Sequence, residues 1–244
     1  MSLYHFEIKS GKRGSAVEYI AYITRTGGYA KRGDLLATGH GNMPDCARQP
    51  VRFFKVSDKS ERINGCPYRA LTASLPKNLM PDQNAELSRD LAEILAESKP
   101  FLYAFHLPVS SLESESNPHV HVMICDRLPD GIERAPEQIF RRHNSTHPER
   151  GGWKKDSGGL TRQQLRDKVL KQRKLVADTI NAALARHGHI ERVDHRSLDE
   201  QGEYRKPERY LGPARIRAMS EDEKKAYVSA RREGRQENRK STGK

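Results

Sequence analysis

Seven residues constrain this chain more than any other stretch: Pro118-His119-Val120-His121-Val122-Met123-Ile124. Alternation of branched apolar residues has the two-residue period of a strand, so His119 and His121 share one face while Val120, Val122 and Ile124 line the other. Side chains two apart on a strand stand about 6.5–7 Å apart along it, within reach of a common ion. A second strand-like stretch, residues 101–109, carries His106, and the polar segment 110–117 between the two suits an antiparallel pair. That pairing brings His106 opposite His119 or His121, and three imidazoles from paired strands would build a partly open metal site. The competing reading is a surface His-x-His pair that holds no ion. His106, on an otherwise apolar strand, weighs against it.

The rest of the pattern predicts an α/β chain of the α+β type: a central, mainly antiparallel sheet carrying the histidines, flanked by helices. Residues 3–9 alternate and predict an opening strand. A basic turn, Gly11 to Gly14 with Lys12 and Arg13, leads to Ser15 as N-cap of a helix ending near Thr26, before Gly27-Gly28. Residues 30–66 are rich in Gly, Pro and Asp and predict loops and short pieces. Residues 68–75 predict a strand closed by Pro76. Pro81 opens an amphipathic helix with Leu87, Leu91, Ile94 and Leu95 on one face, and Pro100 ends it. A mobile basic loop then feeds a long helix over about 161–187, striped by Leu165, Val169, Val176, Ile180, Ala183 and Leu184. The charged turn around Asp194-His195-Arg196-Ser197 suggests no chemistry of its own. Residues 1–219 are expected to form one domain, and 220–244 a charged tail, frayed or disordered.

Charge narrows the partner. The 244 residues hold 44 Lys and Arg against 32 Asp and Glu, a net +12, which favours a polyanion such as nucleic acid. No run nears the roughly 18 apolar residues of a membrane span. Three scattered cysteines make neither a disulfide framework nor a zinc module, and Met1 to Phe6 lacks a signal-peptide start, so a cytoplasmic setting is expected. Residues 131–175 contain twelve basic and five acidic residues. Within them Arg141, Arg142, Lys154, Lys155 and Trp153 suit a groove for single-stranded DNA, with a base stacked on the indole; Trp153 as buried packing is the alternative. Lys12, Arg13 and Arg25 extend the basic surface along the first helix. That helix carries Tyr19 and Tyr22 on one face, followed by Tyr29. Each tyrosine is either a packing residue or, beside a metal-polarised phosphate, a competent nucleophile.

An ordered set of motifs adds to this. Tyr22-Ile23-Thr24-Arg25 with Tyr29-Ala30, then Gly41-Asn42-Met43-Pro44, Ala73-Ser74-Leu75-Pro76 and Asn117 to Ile124 are followed by Asp130-Gly131-Ile132-Glu133-Arg134 and Asp194-His195-Arg196-Ser197-Leu198. Over about residues 4–213 the chain resembles the relaxase domain of MobA/MobL plasmid mobilisation proteins, His-hydrophobic-His endonucleases. The resemblance implies a strand-specific nickase at a transfer origin, whose tyrosine joins the 5′ phosphate and leaves a free 3′-OH. Tyr22 is the matching position, with Tyr19 one turn earlier as rival. His106, His119 and His121 match the metal ligands, and Mn²⁺ or Mg²⁺ is the implied ion. Thr72 stands where some members carry a glutamate. Implied partners are single-stranded transfer-origin DNA, accessory relaxosome proteins and a type IV secretion coupling protein, with passage into a recipient cell on the DNA. No nucleotide cofactor is expected, since ester exchange is nearly isoenergetic and no phosphate-binding loop is present. Three other functions compete. A rolling-circle initiator would place its tyrosine after the histidines, a three-histidine zinc hydrolase would not need Tyr22, and a non-catalytic DNA-binding module would form no adduct.

Overall fold

The computed structural model describes residues 4–110, 112, 115–203 and 211–230. Strand β1 (Phe6–Ser10), helix α1 (Ala16–Ile23), strand β2 (Leu35–Gly41), helix α2 (Pro50–Ser60) and strand β3 (Arg69–Ser74) come first. Helix α3 (Pro81–Ala96) precedes β4 (Phe101–His106) and β5 (His119–Ile124). A short pair, β6 (Arg127–Leu128) and β7 (Lys154–Lys155), brackets α4 (Pro136–Ile139); α5 (Arg162–Arg186) and α6 (Gly212–Ala218) follow.

Five strands form one sheet in the order β1-β3-β5-β4-β2, every neighbouring pair antiparallel. The histidine strand β5 is therefore central. Its Val120, Val122 and Ile124 pack with Leu87, Leu91 and Leu95 of α3 and Val176, Ile180 and Leu184 of α5. The opposite face, with Met123, Leu102 and Ala104, packs against Ile20 and Ile23 of α1 and Phe53 and Phe54 of α2. Helices on both faces meet the demand that the alternating pattern makes.

Several expectations are corrected. Residues 30–66 hold an edge strand and an eleven-residue helix. Gly39 and Gly41 disguise β2, yet a Cβ there would lie 2.7 and 2.5 Å from the rings of Tyr103 and Phe101 on β4. Pro50, which looks like punctuation, occupies the first turn of α2, where proline is favoured. Ile94 is exposed, and so are Leu165 and Val169, leaving the buried stripe of α5 to start at Val176. Ser15 makes no side-chain cap; its hydroxyl donates to the Lys12 carbonyl at 2.6 Å. The α1 backbone is capped instead from α2, with Ala16 N–H donating to Asp58 Oδ2 at 2.8 Å.

The basic stretch after β5 is ordered around one buried guanidinium. Arg127 forms two hydrogen bonds to Glu61 Oε2 and Oε1 through Nη2, at 2.9 and 3.1 Å, and donates to the carbonyls of Phe140, Arg141 and Trp153. Trp153 is only 5% exposed and packs in the core formed by Phe53, Phe54 and Phe140. Its indole is packing, not a platform for a base. The Asp194–Arg196 stretch is a charged turn in which Arg196 donates to Asp194, anchored where Asn181 holds both backbone groups of Val193. Residues 221–230 are helical; 231–244 lie outside the described residues. No described helix is long and apolar enough to cross a membrane.

Candidate metal and tyrosine site

The register places His106 directly opposite His119, while His121 faces Ala104 on one side and Thr72 on the other. The three imidazoles each offer a ligand atom, and these atoms all lie within 4.8 Å of one another. Two nitrogens bound to one ion at about 2.1 Å can be at most about 4.2 Å apart. Three nitrogens sharing one ion stand closer still, about 3.0–3.6 Å apart, so shared ligation draws each ring inward by up to about 1 Å.

The hydrogen bonds settle which nitrogens are available. His119 Nδ1 lies 2.9 Å from the Asn117 carbonyl, which only accepts, so Nδ1 carries the proton and Nε2 is bare. His106 Nε2 lies 2.6 Å from the Ile23 carbonyl, so that proton sits on Nε2 and Nδ1 is bare. His121 Nδ1 is 3.1 Å from the Thr72 hydroxyl, and its Nε2 is buried with no hydrogen-bond partner. A buried, unpartnered imidazole nitrogen facing two other imidazoles is the mark of a cation ligand. Burial lowers all three basicities, to about 4 for His106 and about 2 for His121, so the rings are neutral at physiological pH.

Helix α1 brings the tyrosines to this cluster. It starts where the Ser15 hydroxyl meets the Tyr68 hydroxyl, just before β3, and ends with the Ile23 carbonyl on His106. The Tyr22 ring sits edge-on to His121 at 5.8 Å between centroids. Tyr19, one turn earlier, lies 6.4 Å from His121 but stacks on Tyr68 at 5.5 Å. Burial pushes the Tyr19 phenol well above its ordinary value, which favours its protonated form.

The cations expected to contact DNA divide into three groups. Arg25 is 8% exposed, held by Asp34 through two hydrogen bonds at 2.7 and 2.8 Å, and so is not a free phosphate ligand. Arg13 is engaged by the carbonyls of Asp58 and Lys59, and Lys155 by Glu61 and the Cys66 carbonyl. Lys12, Arg141, Arg142 and Lys154 are exposed. Lys154 and Lys155 form β7 beside β6, the Arg141 carbonyl accepts from Arg127, and Lys12 follows Gly11, whose N–H donates to the Tyr68 carbonyl. These backbones therefore lie beyond the Ile124 end of β5; Ile124 itself is about 17 Å along the strand from His119 at a rise of about 3.4 Å.

Two residues near the histidines, Arg32 and Asp34, escaped the sequence reading, and the contact Thr72 makes there could not be read from it. Arg32 is exposed, with its guanidinium 5.7 Å from the ring centroids of both Tyr22 and Tyr29. Asp34 and Thr72 approach the cluster through β2 and β3. Only the strand register, which the sequence leaves open, places Thr72 beside His121.

Comparison with known proteins agrees with this architecture. The MobA/MobL family matches residues 21–221. The "43 kDa relaxation protein" of Salmonella typhimurium is 39% identical over 206 residues, covering 83% of this chain and 56% of that protein. "Mobilization protein A" of Escherichia coli is 37% identical over 219 residues, covering 87% of this chain and 30% of that protein. The chain thus spans between about a third and about a half of these two relatives. A solved structure described as "Molecular Basis of Vancomycin Resistance Transfer in Staphylococcus aureus" shares the fold, with a TM-score of 0.58 at 20% identity, covering 80% of this chain and all of the other.

Proposed function

Because this chain belongs to the MobA/MobL family, we propose that it is the nicking domain of a plasmid mobilisation protein, cutting one DNA strand at a transfer origin by tyrosine transesterification. One observation carries the reading: the Tyr22 ring lies beside three converging imidazoles, one of which has a buried nitrogen with no partner. The residues fit a divalent ion on His106 Nδ1, His119 Nε2 and His121 Nε2. Such an ion, Mn²⁺ or Mg²⁺, would supply polarisation of a non-bridging phosphate oxygen.

The chain's own groups do the rest. The Tyr22 phenol oxygen attacks phosphorus as its proton leaves; the bond from phosphorus to the 3′ oxygen breaks, and that oxygen takes up a proton. One ester replaces another, so the free 3′-OH can reverse the step. Arg32, exposed beside the Tyr22 ring, receives the phosphate charge. The cations at the far end of the sheet, Lys12, Arg141, Arg142 and Lys154, hold the strand leading into the site. Family likeness extends the assembly to accessory relaxosome proteins and a type IV secretion coupling protein. On the same proposal, nicking takes place in the donor cytoplasm, before transfer of the covalent complex.

The test is incubation of single-stranded transfer-origin oligonucleotides with the protein and Mn²⁺, followed by denaturing electrophoresis. A covalent protein–DNA band that disappears in Tyr22→Phe is expected. Cleavage without an adduct would instead indicate hydrolysis, and binding without cleavage a non-catalytic module.

A further inference from the structure

Arg25 occupies a position that a DNA-binding cation would not. It lies just past α1 with φ at 53°, a left-handed conformation that a non-glycine residue rarely adopts. Its guanidinium makes four hydrogen bonds to three neighbours. Nε and Nη2 donate to the two oxygens of Asp34, at 2.7 and 2.8 Å, and Nη1 donates to the Tyr22 carbonyl at 2.6 Å. Nη2 also lies 3.2 Å from His106 Nδ1. Its carbon stands 4.8 Å from the centroid of the Tyr22 ring. One buried cation thus touches the nucleophile's backbone, its ring and a candidate metal ligand.

The contact with His106 has a definite polarity. The Ile23 carbonyl requires the His106 proton on Nε2, so Nδ1 accepts from Arg25. An imidazole nitrogen has one lone pair in the ring plane and cannot serve a guanidinium N–H and a metal ion together. Changing the tautomer of the ring as it stands does not avoid the conflict. Ligation through Nε2 would put the proton on Nδ1, facing the Arg25 N–H donor to donor.

We propose that Arg25 is a positioning residue that competes with the divalent ion for His106 while holding Tyr22 in place, and that Asp34 sets the strength of the competition by keeping the guanidinium on its own carboxylate. The competition rests on the hydrogen bonds alone. The role in cleavage rests also on the proposed nicking reaction. Loading of the ion moves Arg25 off Nδ1, leaving it on Asp34 and the Tyr22 carbonyl. Arg25 thereby links occupancy of the metal site to the placement of the tyrosine.

Opposite effects on metal affinity and on cleavage test this. Calorimetric titration with Mn²⁺ alone, without DNA, compares the wild-type protein with Arg25→Met/Asp34→Asn and with Asp34→Asn. The double variant removes the charge pair together, so no charge is left buried without its partner. It should bind Mn²⁺ between about 5- and 150-fold more tightly, the range typical of coupled sites. Asp34→Asn, which releases Arg25 toward His106, should bind Mn²⁺ more weakly by a similar factor. Long-range ¹⁵N spectra of the histidines should show Nδ1 of His106 losing its hydrogen bond in the double variant. Adduct formation at saturating Mn²⁺ should fall in that variant while the Kd for the oligonucleotide stays within about twofold of wild type, because Arg25 does not face DNA. A purely structural role would weaken Mn²⁺ binding in both variants, and that result overturns the proposal. So does unchanged Mn²⁺ affinity in the double variant. If wild type forms no adduct, the nicking reading fails while the Mn²⁺ titrations still decide the competition.

Discussion

Thr72 and His121 face each other across the β3–β5 ladder, and the threonine hydroxyl lies 3.1 Å from the imidazole Nδ1. With Nδ1–H donating to that oxygen, His121 keeps Nε2 bare and aimed at the other two histidines. Thr72→Val retains the branched shape but removes the acceptor. Mn²⁺ affinity measured by calorimetry should fall about tenfold, as for other residues that orient metal-binding histidines. Equal affinity would mean that packing alone orients the ring.

Tyr22 and Tyr19 separate by their surroundings. Tyr22→Phe should form no covalent adduct while binding the oligonucleotide with its usual Kd. Tyr19→Phe should still form the adduct, because its phenol is buried beside Tyr68 and held protonated. The reverse pattern on a denaturing gel would move the nucleophile one turn along α1.

The histidines make the stability of the chelated protein depend on pH. Their folded basicities are depressed by burial, whereas in the unfolded chain they return to about 6.5. Below about pH 6.5 the unfolded state therefore takes up protons that the folded state does not, and stability falls as the pH drops toward 4. Each histidine contributes at most about 1.4 kcal/mol per pH unit to that slope. Urea titrations in chelator between pH 7.5 and 4.5 should show the decline. His121→Gln should make it shallower.

Arg127 and Glu61 are 3% and 1% exposed at their side chains, a buried pair holding the segment from Phe140 to Trp153. Arg127→Met leaves the buried Glu61 carboxylate only its longer ion pair with Lys155, at 3.4 Å, and removes the donors to three carbonyls, and should cost up to about 3–5 kcal/mol in chemical denaturation. Adding Glu61→Gln should recover part of that loss. A change below about 1 kcal/mol in the single variant would show that Glu61 is not confined.

Replacing Arg141, Arg142 and Lys154 together with glutamine should weaken binding to all single strands alike. Each phosphate contact contributes about −0.7 to the slope of log K against log salt, so the slope should flatten by about 2. The position of cleavage should not move. Trp153→Phe should lower thermal stability and leave the DNA Kd unchanged, since the indole is inside the core.

The sequence revealed most where one period dominates. Val120, Val122 and Ile124 alternate because one face of β5 is buried, and the same alternation sets His119 and His121 together on the other. Leu87, Leu91 and Leu95 are as clear for α3. β2 was hidden because Gly39 and Gly41 make room for rings on a neighbouring strand, a requirement that exists only once the strands pair. Trp153 and Arg127 were obscure for a related reason. A polar, glycine-containing stretch has the composition of a loop whether it is open or organised around one buried guanidinium. Thr72 and Asp34 reach the site through strand register and an ion pair, neither of which leaves a periodic trace.

The Asp58 carboxylate that receives the first N–H of α1 is 42 positions downstream of it. An emerging polypeptide that has not yet extended through α2 lacks the group that starts the tyrosine helix. Completion of the tyrosine helix therefore waits on synthesis of α2. Cleaving the chain between the two helices would disarm it, provided the pieces separate, without altering any residue of the histidine cluster.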